Sequence, residues 1–251
     1  MASKLPSLTT EYKCIHCASS MKALYREYSK GNIRLELCKH CKQFADHYIE
    51  NDTIVVFIDM VLMKKPVFRH LLHNRLQYNS LGINMNVSKL AVILILFEVY
   101  VKWFTLEKYH GKADFMATES IYKQYLYILS LCVFESTLWH IAIRTAVWLL
   151  HKQEPAEEAK SIVWYNKVSM SLIISSYGKL FLLLMAIWDY KELDYAWLLN
   201  VFVVMSNLEA LSAFLNTKYI ETGAILGVGV LVRVLFGSFW WLEGATSILL
   251  I

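Results

Sequence analysis

Charge is scarce in this chain. Of its 251 residues, 18% are charged and 57% apolar, against about 25% and 45–50% in an average soluble domain. The net charge is only +4, and no basic patch carries the interleaved aromatics of a nucleic-acid surface, so nucleic acid is not an expected partner. Internal repeats and low-complexity tracts are lacking. The N-terminus is short and polar, with no apolar core ahead of a cleavage site, so no cleaved secretory signal is expected. A lone cysteine, Cys132, lies in an apolar run and reads as a small buried hydrophobe.

The apolar residues come in long runs. Stretches at 87–106, 125–150, 168–188, 196–215 and 223–242 each approach the roughly 20 residues that cross a bilayer core. Aromatics crowd their edges (Trp103, Trp148, Trp188, Trp197, Trp240, Trp241), as interfacial belts require. Gly223, Gly227 and Gly229 suit close helix packing. The expected fold is mainly α, a polytopic membrane protein with about five transmembrane helices and a small N-terminal β zinc ribbon. Three parts are expected: 1–52, a cytosolic four-cysteine ribbon; 53–80, an interfacial basic and amphipathic segment; and 81–251, the transmembrane region.

The ribbon follows from cysteine spacing. Cys14/Cys17 and Cys38/Cys41 form two C-x2-C pairs with twenty residues between them. A two-residue knuckle brings two thiolates to one ion, and a hairpin returns the chain with the second pair, completing the tetrahedral cage that zinc prefers. Strands are expected over 23–28 and 33–37, with Gly31 free to take positive φ in the turn between them. A c-type haem needs His after the second cysteine, but Ala18 and Lys42 stand there. A thioredoxin-like site needs a βαβ context that is absent, and two disulfides need an oxidising compartment. His16 and His40 read as surface residues. Four protein sulfurs leave no open position for water, so one structural zinc ion is expected.

After Asp52 comes an apolar segment, 54–63, too short to cross a bilayer. Lys64, Lys65, Arg69 and Arg75 follow, interleaved with Val67, Phe68, Leu71 and Leu72, and read as facing lipid headgroups, the alternative being an ordinary amphipathic helix packed under the ribbon. Positive charge is densest here, which places the N-terminus in the cytosol. Asn51 and Asn86 stand in glycosylation sequons; in the cytosol Asn51 stays bare.

Charges inside the apolar runs are costly in lipid, about 2.5–3.5 kcal/mol on insertion scales for the worst residues at mid-helix. These are Glu98, Glu135, Arg144, Lys179, Glu209 and Arg233. Lys102 and Arg144 are expected near enough to the interface to snorkel. Glu135 and Lys179 fall near mid-span, where they are expected to pair or to line a polar headgroup path, with His140, Asn200 and Asn207 extending that interior. His47 and Asp52 have the H-x4-D spacing of acyltransferases, but no larger domain surrounds them, and structural contacts are expected instead. No nucleophile, acid–base pair or open metal site emerges, so no catalytic residues and no enzymatic activity are expected.

Several blocks taken together resemble one family. Tyr12-Lys13-Cys14-Ile15-His16-Cys17, Leu24-Tyr25-Arg26-Glu27-Tyr28, Gly31 and Cys38-Lys39-His40-Cys41 resemble the Arv homology domain. The match continues through Asp46-His47-Tyr48-Ile49-Glu50-Asn51-Asp52 to Phe68-Arg69-His70-Leu71-Leu72-His73-Asn74, with Phe68 where tyrosine is expected. Further on, Ser175-Ser176-Tyr177-Gly178-Lys179 resembles part of a later membrane helix of that family. The resemblance implies a multi-pass protein of the endoplasmic reticulum, and also of the Golgi, that distributes sterol and sphingolipid. It also implies a link to glycosylphosphatidylinositol anchor synthesis, as scaffold or supplier of intermediates, with the anchor-synthesis enzymes as partners. The implied zinc ligands are Cys14, Cys17, Cys38 and Cys41.

Overall fold

The computed structural model describes residues 12–29, 32–110, 120–150, 162–181 and 196–242. The turn at Gly31, residues 182–188 of the third apolar run, and the side chains of Trp188, Trp197, Trp240 and Trp241 lie outside the described residues. The chain divides into two units: residues 1–77 with 209–217, and residues 78–208 with 218–251.

The first unit begins with two short antiparallel strand pairs. β1 (Tyr12–Lys13) pairs with β2 (Ser20–Met21), and β3 (Tyr25–Ser29) with β4 (Asn32–Leu35). The second pair is the hairpin expected from the sequence, displaced by one or two residues. The first was not legible because two-residue strands carry no periodicity. A 3-10 turn at His47–Ile49 leads into α1 (Thr53–Val61). α2 (Lys65–Arg69) continues without a break into a π-helical turn at His70–Arg75. Pro in the first turn starts α2, where its missing N–H costs nothing. On α1, Ile54, Phe57, Ile58 and Leu62 are exposed while Val56 is buried. That helix presents an apolar outer face.

The second unit is built of helices: α3 (Met85–His110), α4 (Ile121–Leu150), α5 (Ile162–Ser175), most of α6 (Ala196–Leu215), and α7 (Tyr219–Leu242). α5 runs into a 3-10 turn at Ser176–Leu180. Three segments are long and apolar enough to cross a membrane: Ile121–Leu150, Leu198–Leu215 and Tyr219–Phe236. These coincide with three of the five expected runs. α3 is long enough, but Lys89, Glu98 and Lys102 lie within its described length. The third run is described only as far as residue 181.

Of the three glycines of the last run, Gly229 makes the close approach. A Cβ there would lie 2.9 Å from the Trp139 ring of α4, whereas one at Gly227 would meet nothing within 4 Å.

The cysteine cage and the buried charge cluster

Local backbone chemistry shapes the four-cysteine site. Ala18 N–H donates to the Cys14 carbonyl and Lys42 N–H to the Cys38 carbonyl, both at 2.9 Å. Cys14 N–H donates to Ser19 and Cys38 N–H to Gln43 at matching offsets. Ala18 and Lys42 take φ values of 59° and 57°, left-handed conformations that non-glycine residues adopt only under constraint. The two pairs are thus one turn built twice. An Ile15 N–H bond to Ala45 O at 3.0 Å ties the first knuckle to the chain beyond the second.

All four ligand sulfurs lie within 4.8 Å of one another. Cys14 Sγ is 3.7 Å from Cys41 Sγ, and Cys17 Sγ is 3.6 Å from Cys38 Sγ. A tetrahedral ion with metal–sulfur bonds of about 2.3 Å sets sulfurs about 3.8 Å apart. The residues therefore fit a single divalent ion, and none of the thiols is in a disulfide. The group comprises the four cysteines without His16 or His40. The Ser19 hydroxyl sits 3.0 Å from Cys17 Sγ and 3.2 Å from Cys38 Sγ. Burial raises the Cys38 thiol, but the Ser19 hydroxyl and the Cys41 and His40 N–H groups outweigh it, bringing it down to about 6. Burial pushes Cys14 up to about 12. The Ser19 hydroxyl and the two N–H groups thus favour the Cys38 thiolate, whereas burial favours the protonated Cys14 unless a cation lies beside it.

Behind the cage, Asp46 is fully buried. It accepts from Tyr48 N–H at 3.1 Å, His70 Nδ1 at 2.7 Å and Asn74 Nδ2 at 2.6 Å. Asn74 also exchanges bonds with the backbone of Lys13 at 3.0 and 2.9 Å. Arg69 donates to the Ile15 and His16 carbonyls at 3.0 and 2.6 Å, and to Asn216 at 2.9 Å. Arg69, expected among the headgroup-facing cations, is thus buried against the first knuckle; Lys64 and Arg75 stay exposed. The cysteine segment and the π-helical turn form one hydrogen-bonded body. Asp46→Ala would strand buried donors on His70 and Asn74 at about 1–3 kcal/mol each. The expected result is a clear fall in the unfolding midpoint of the first unit with metal content retained, read by hydrogen exchange at residues 12–49.

His47 and Asp52 do not bond to each other. His47 stacks between His16 and Tyr48, with centroids at 6.0 and 4.2 Å, and Asp52 is the exposed cap residue of α1. No catalytic pair forms there.

Among the described residues, the second unit holds a cluster of five charged side chains. Lys102 Nζ lies 2.5 Å from Glu135 and 3.7 Å from Glu98. Lys179 Nζ lies 2.9 Å from Glu98. Arg233 Nη2 lies 3.1 Å from Glu98, and its Nε bonds Glu135. Glu135 and Lys179 therefore belong to one cluster, but each takes a different direct partner. Lys102, expected to snorkel, points inward instead, with its side chain 1% exposed. Arg144 also stays within the bundle, bonding Asn166 at 2.6 Å and Ser169 at 2.9 Å. Both bonds satisfy donors that lipid would leave unpaired.

The Ser175–Lys179 stretch packs against α6 and feeds this cluster. Ser175 donates to Asn207 at 2.5 Å, and Tyr177 meets the Phe202 ring edge-on at 5.9 Å. A Cβ on Gly178 would lie 2.6 Å from the Phe202 ring, closer than any relaxed contact. Lys179 then reaches Glu98. Gly178→Ala should cost about 1–3 kcal/mol by overpacking, seen as a lower thermal midpoint in detergent. An unchanged midpoint would mean that α6 yields freely.

A four-thiol, cation-ready head on a helical chain with membrane-length segments defines a class of membrane-associated protein. The Arv1-like family profile matches residues 13–211. The chain is 35% identical over 246 residues to "Protein arv1 homolog" of Dictyostelium discoideum, covering 94% of this chain and 98% of that one. It is 33% identical to "Protein arv1" of Schizosaccharomyces pombe (94% and 88% covered) and 30% identical to "Protein ARV1" of Homo sapiens (84% and 74% covered). No solved structure matches significantly. The chain belongs to the Arv1-like family.

Proposed function

We propose that this chain is a non-enzymatic mediator of sterol and sphingolipid homeostasis in the endoplasmic-reticulum membrane, with Golgi membrane as a second location. The observation that carries the reading is the family match, which runs through both the cysteine head and the helical region. In this reading Cys14, Cys17, Cys38 and Cys41 hold one zinc ion. The ion supplies a cross-link that fixes the ribbon, with no coordination position left for a substrate. The ribbon faces the cytosol, where thiols stay reduced and the exposed Lys64 and Arg75 meet anionic headgroups. The apolar face of α1 lies in the interface beside them. Five helices, α3 and the α5 continuation included, cross the bilayer and handle sterol among their apolar faces.

A second reading, a scaffold or intermediate supplier for glycosylphosphatidylinositol anchor synthesis, is favoured by one specific feature. Tyr25, Tyr28, Leu37 and Phe44 are 45–65% exposed on the cysteine head, an apolar surface suited to a protein partner. Depleting the protein from cells and rescuing it with wild type or Cys38→Ser separates the readings. Sterol redistribution between reticulum and surface that wild type reverses supports the first. A loss of surface anchored proteins with sterol unchanged supports the second.

A further inference from the structure

The two cysteine turns repeat each other, and the repeat extends to their sulfurs. Carrying the first turn onto the second exchanges Cys14 with Cys38 and Cys17 with Cys41. The Cys17–Cys38 edge, 3.6 Å long, and the Cys14–Cys41 edge, 3.7 Å long, are therefore equivalent. Their surroundings are not. Ser19, two residues after Cys17, sets its hydroxyl 3.0 Å from the Cys17 sulfur and 3.2 Å from that of Cys38, and its N–H also donates to Cys17. The equivalent residue of the second turn is Gln43, which is exposed. Among the described residues, its side chain bonds neither Cys14 nor Cys41. Access differs within each pair as well: Cys14 and Cys38 are 0% and 2% exposed, while Cys17 and Cys41 are half-buried. Of the two sulfurs that solvent reaches, one lies under a hydroxyl and the other, Cys41, does not.

We propose that Cys41 is the thiolate of the filled cage that soft electrophiles of the α,β-unsaturated carbonyl class modify first, and that Ser19 is the positioning residue that shields the opposite edge. In a filled cage all four sulfurs are thiolates, so the Ser19 hydroxyl can only donate to them. The donated bond draws electron density from the attacking lone pair, and the hydroxyl occupies the approach to Cys17 and Cys38. Burial closes off Cys14. Since the attack on a thiolate follows its exposure and its charge density, Cys41 is left as the open position. Conjugate addition there forms one C–S bond, takes one proton from water and converts a charged ligand into a neutral thioether. The head then loses one of its four holds on the ion. This inference rests on the zinc reading of the cage and adds a modification site to it.

The full chain in mild detergent, purified with its metal, is treated with less than one equivalent of N-ethylmaleimide. The adduct on singly modified chains is mapped by peptide mass spectrometry, and metal release is followed with a chromogenic chelator. The expected first adduct is on Cys41, with metal release keeping pace. Ser19→Ala should keep its metal and raise the Cys17 rate about three- to tenfold, as the loss of one hydrogen bond implies, and Ser19→Thr should restore the wild-type order. Gln43→Ser, which brings a hydroxyl to the equivalent place over Cys41, should slow Cys41 by a similar factor. Cys17 reacting first or equally in wild type would overturn the site. An unchanged Cys17 rate in metal-bearing Ser19→Ala would overturn the role of Ser19. If Ser19→Ala loses its metal, Gln43→Ser decides: a slower Cys41 upholds the shielding and an unchanged one overturns it. A wild-type chain purified without metal would overturn the zinc reading and this inference together, whereas the wrong order on a metal-bearing chain overturns this inference alone.

Discussion

Cys38→Ser should empty the cysteine cage and unfold the first unit. Structural zinc in a four-ligand site contributes about 10–16 kcal/mol of apparent binding free energy in small peptides, comparable to or larger than the 5–15 kcal/mol that holds a whole domain folded. Little else is available to this part of the chain. Its two strand pairs are two to five residues long, and isolated hairpins are marginal in water. The left-handed Ala18 and Lys42 add strain that a filled cage has to offset. The wild-type protein should carry one metal ion per chain by elemental analysis, and Cys38→Ser close to none. Backbone amides of residues 12–49 should then exchange at near-unprotected rates. Cys132→Ser, in α4, should keep its metal. Equimolar metal in Cys38→Ser would refute the four-thiolate assignment.

Glu135→Gln should be the most damaging single change in the helical unit. It leaves Lys102, 1% exposed, with Glu98 at 3.7 Å as its remaining carboxylate, and removes the negative charge that Arg233 Nε faces. Breaking one side of a buried pair typically costs about 3–5 kcal/mol, because the stranded charge cannot reach water. Replacing both members is far milder. Lys102→Met combined with Glu135→Gln should recover much of the loss, with a coupling of up to about 3 kcal/mol in a double-mutant cycle. Thermal unfolding in detergent reads both. A single-variant cost below about 1 kcal/mol would mean that the cluster is already hydrated.

The sequence displays these two sites unequally, and the reason is physical. The cysteine cage is encoded by local spacing, since a knuckle is a property of four consecutive residues. Three membrane-length helices were legible as apolar runs for the same reason. The cluster's charges were each visible, and the i, i+4 pair Glu98–Lys102 lies on one helix face. Partner choice was not visible, because it depends on how α3, α4 and α7 rotate against one another, and an all-round apolar helix gives no phase. Hence Lys102 looked able to snorkel, and Glu135 and Lys179 looked like mutual partners. Asp46 and Arg69 were missed differently. Their bonds join residues 24 and 53–54 positions apart, and a π-helical turn shifts the side-chain phase that a regular helix predicts. An Asp followed by a distant His and Asn at 70 and 74 offered no local signal.

The buried cluster and the cysteine head serve one account, in which the protein handles membrane lipid directly. Mass spectrometry of lipids that co-purify with the full chain in mild detergent tests it most directly, beside an unrelated membrane protein of similar span number handled identically. The account predicts near-stoichiometric enrichment of a sterol, a sphingolipid or an anchor intermediate over that control. A lipid profile indistinguishable from the control would contradict direct lipid handling and leave the scaffold role.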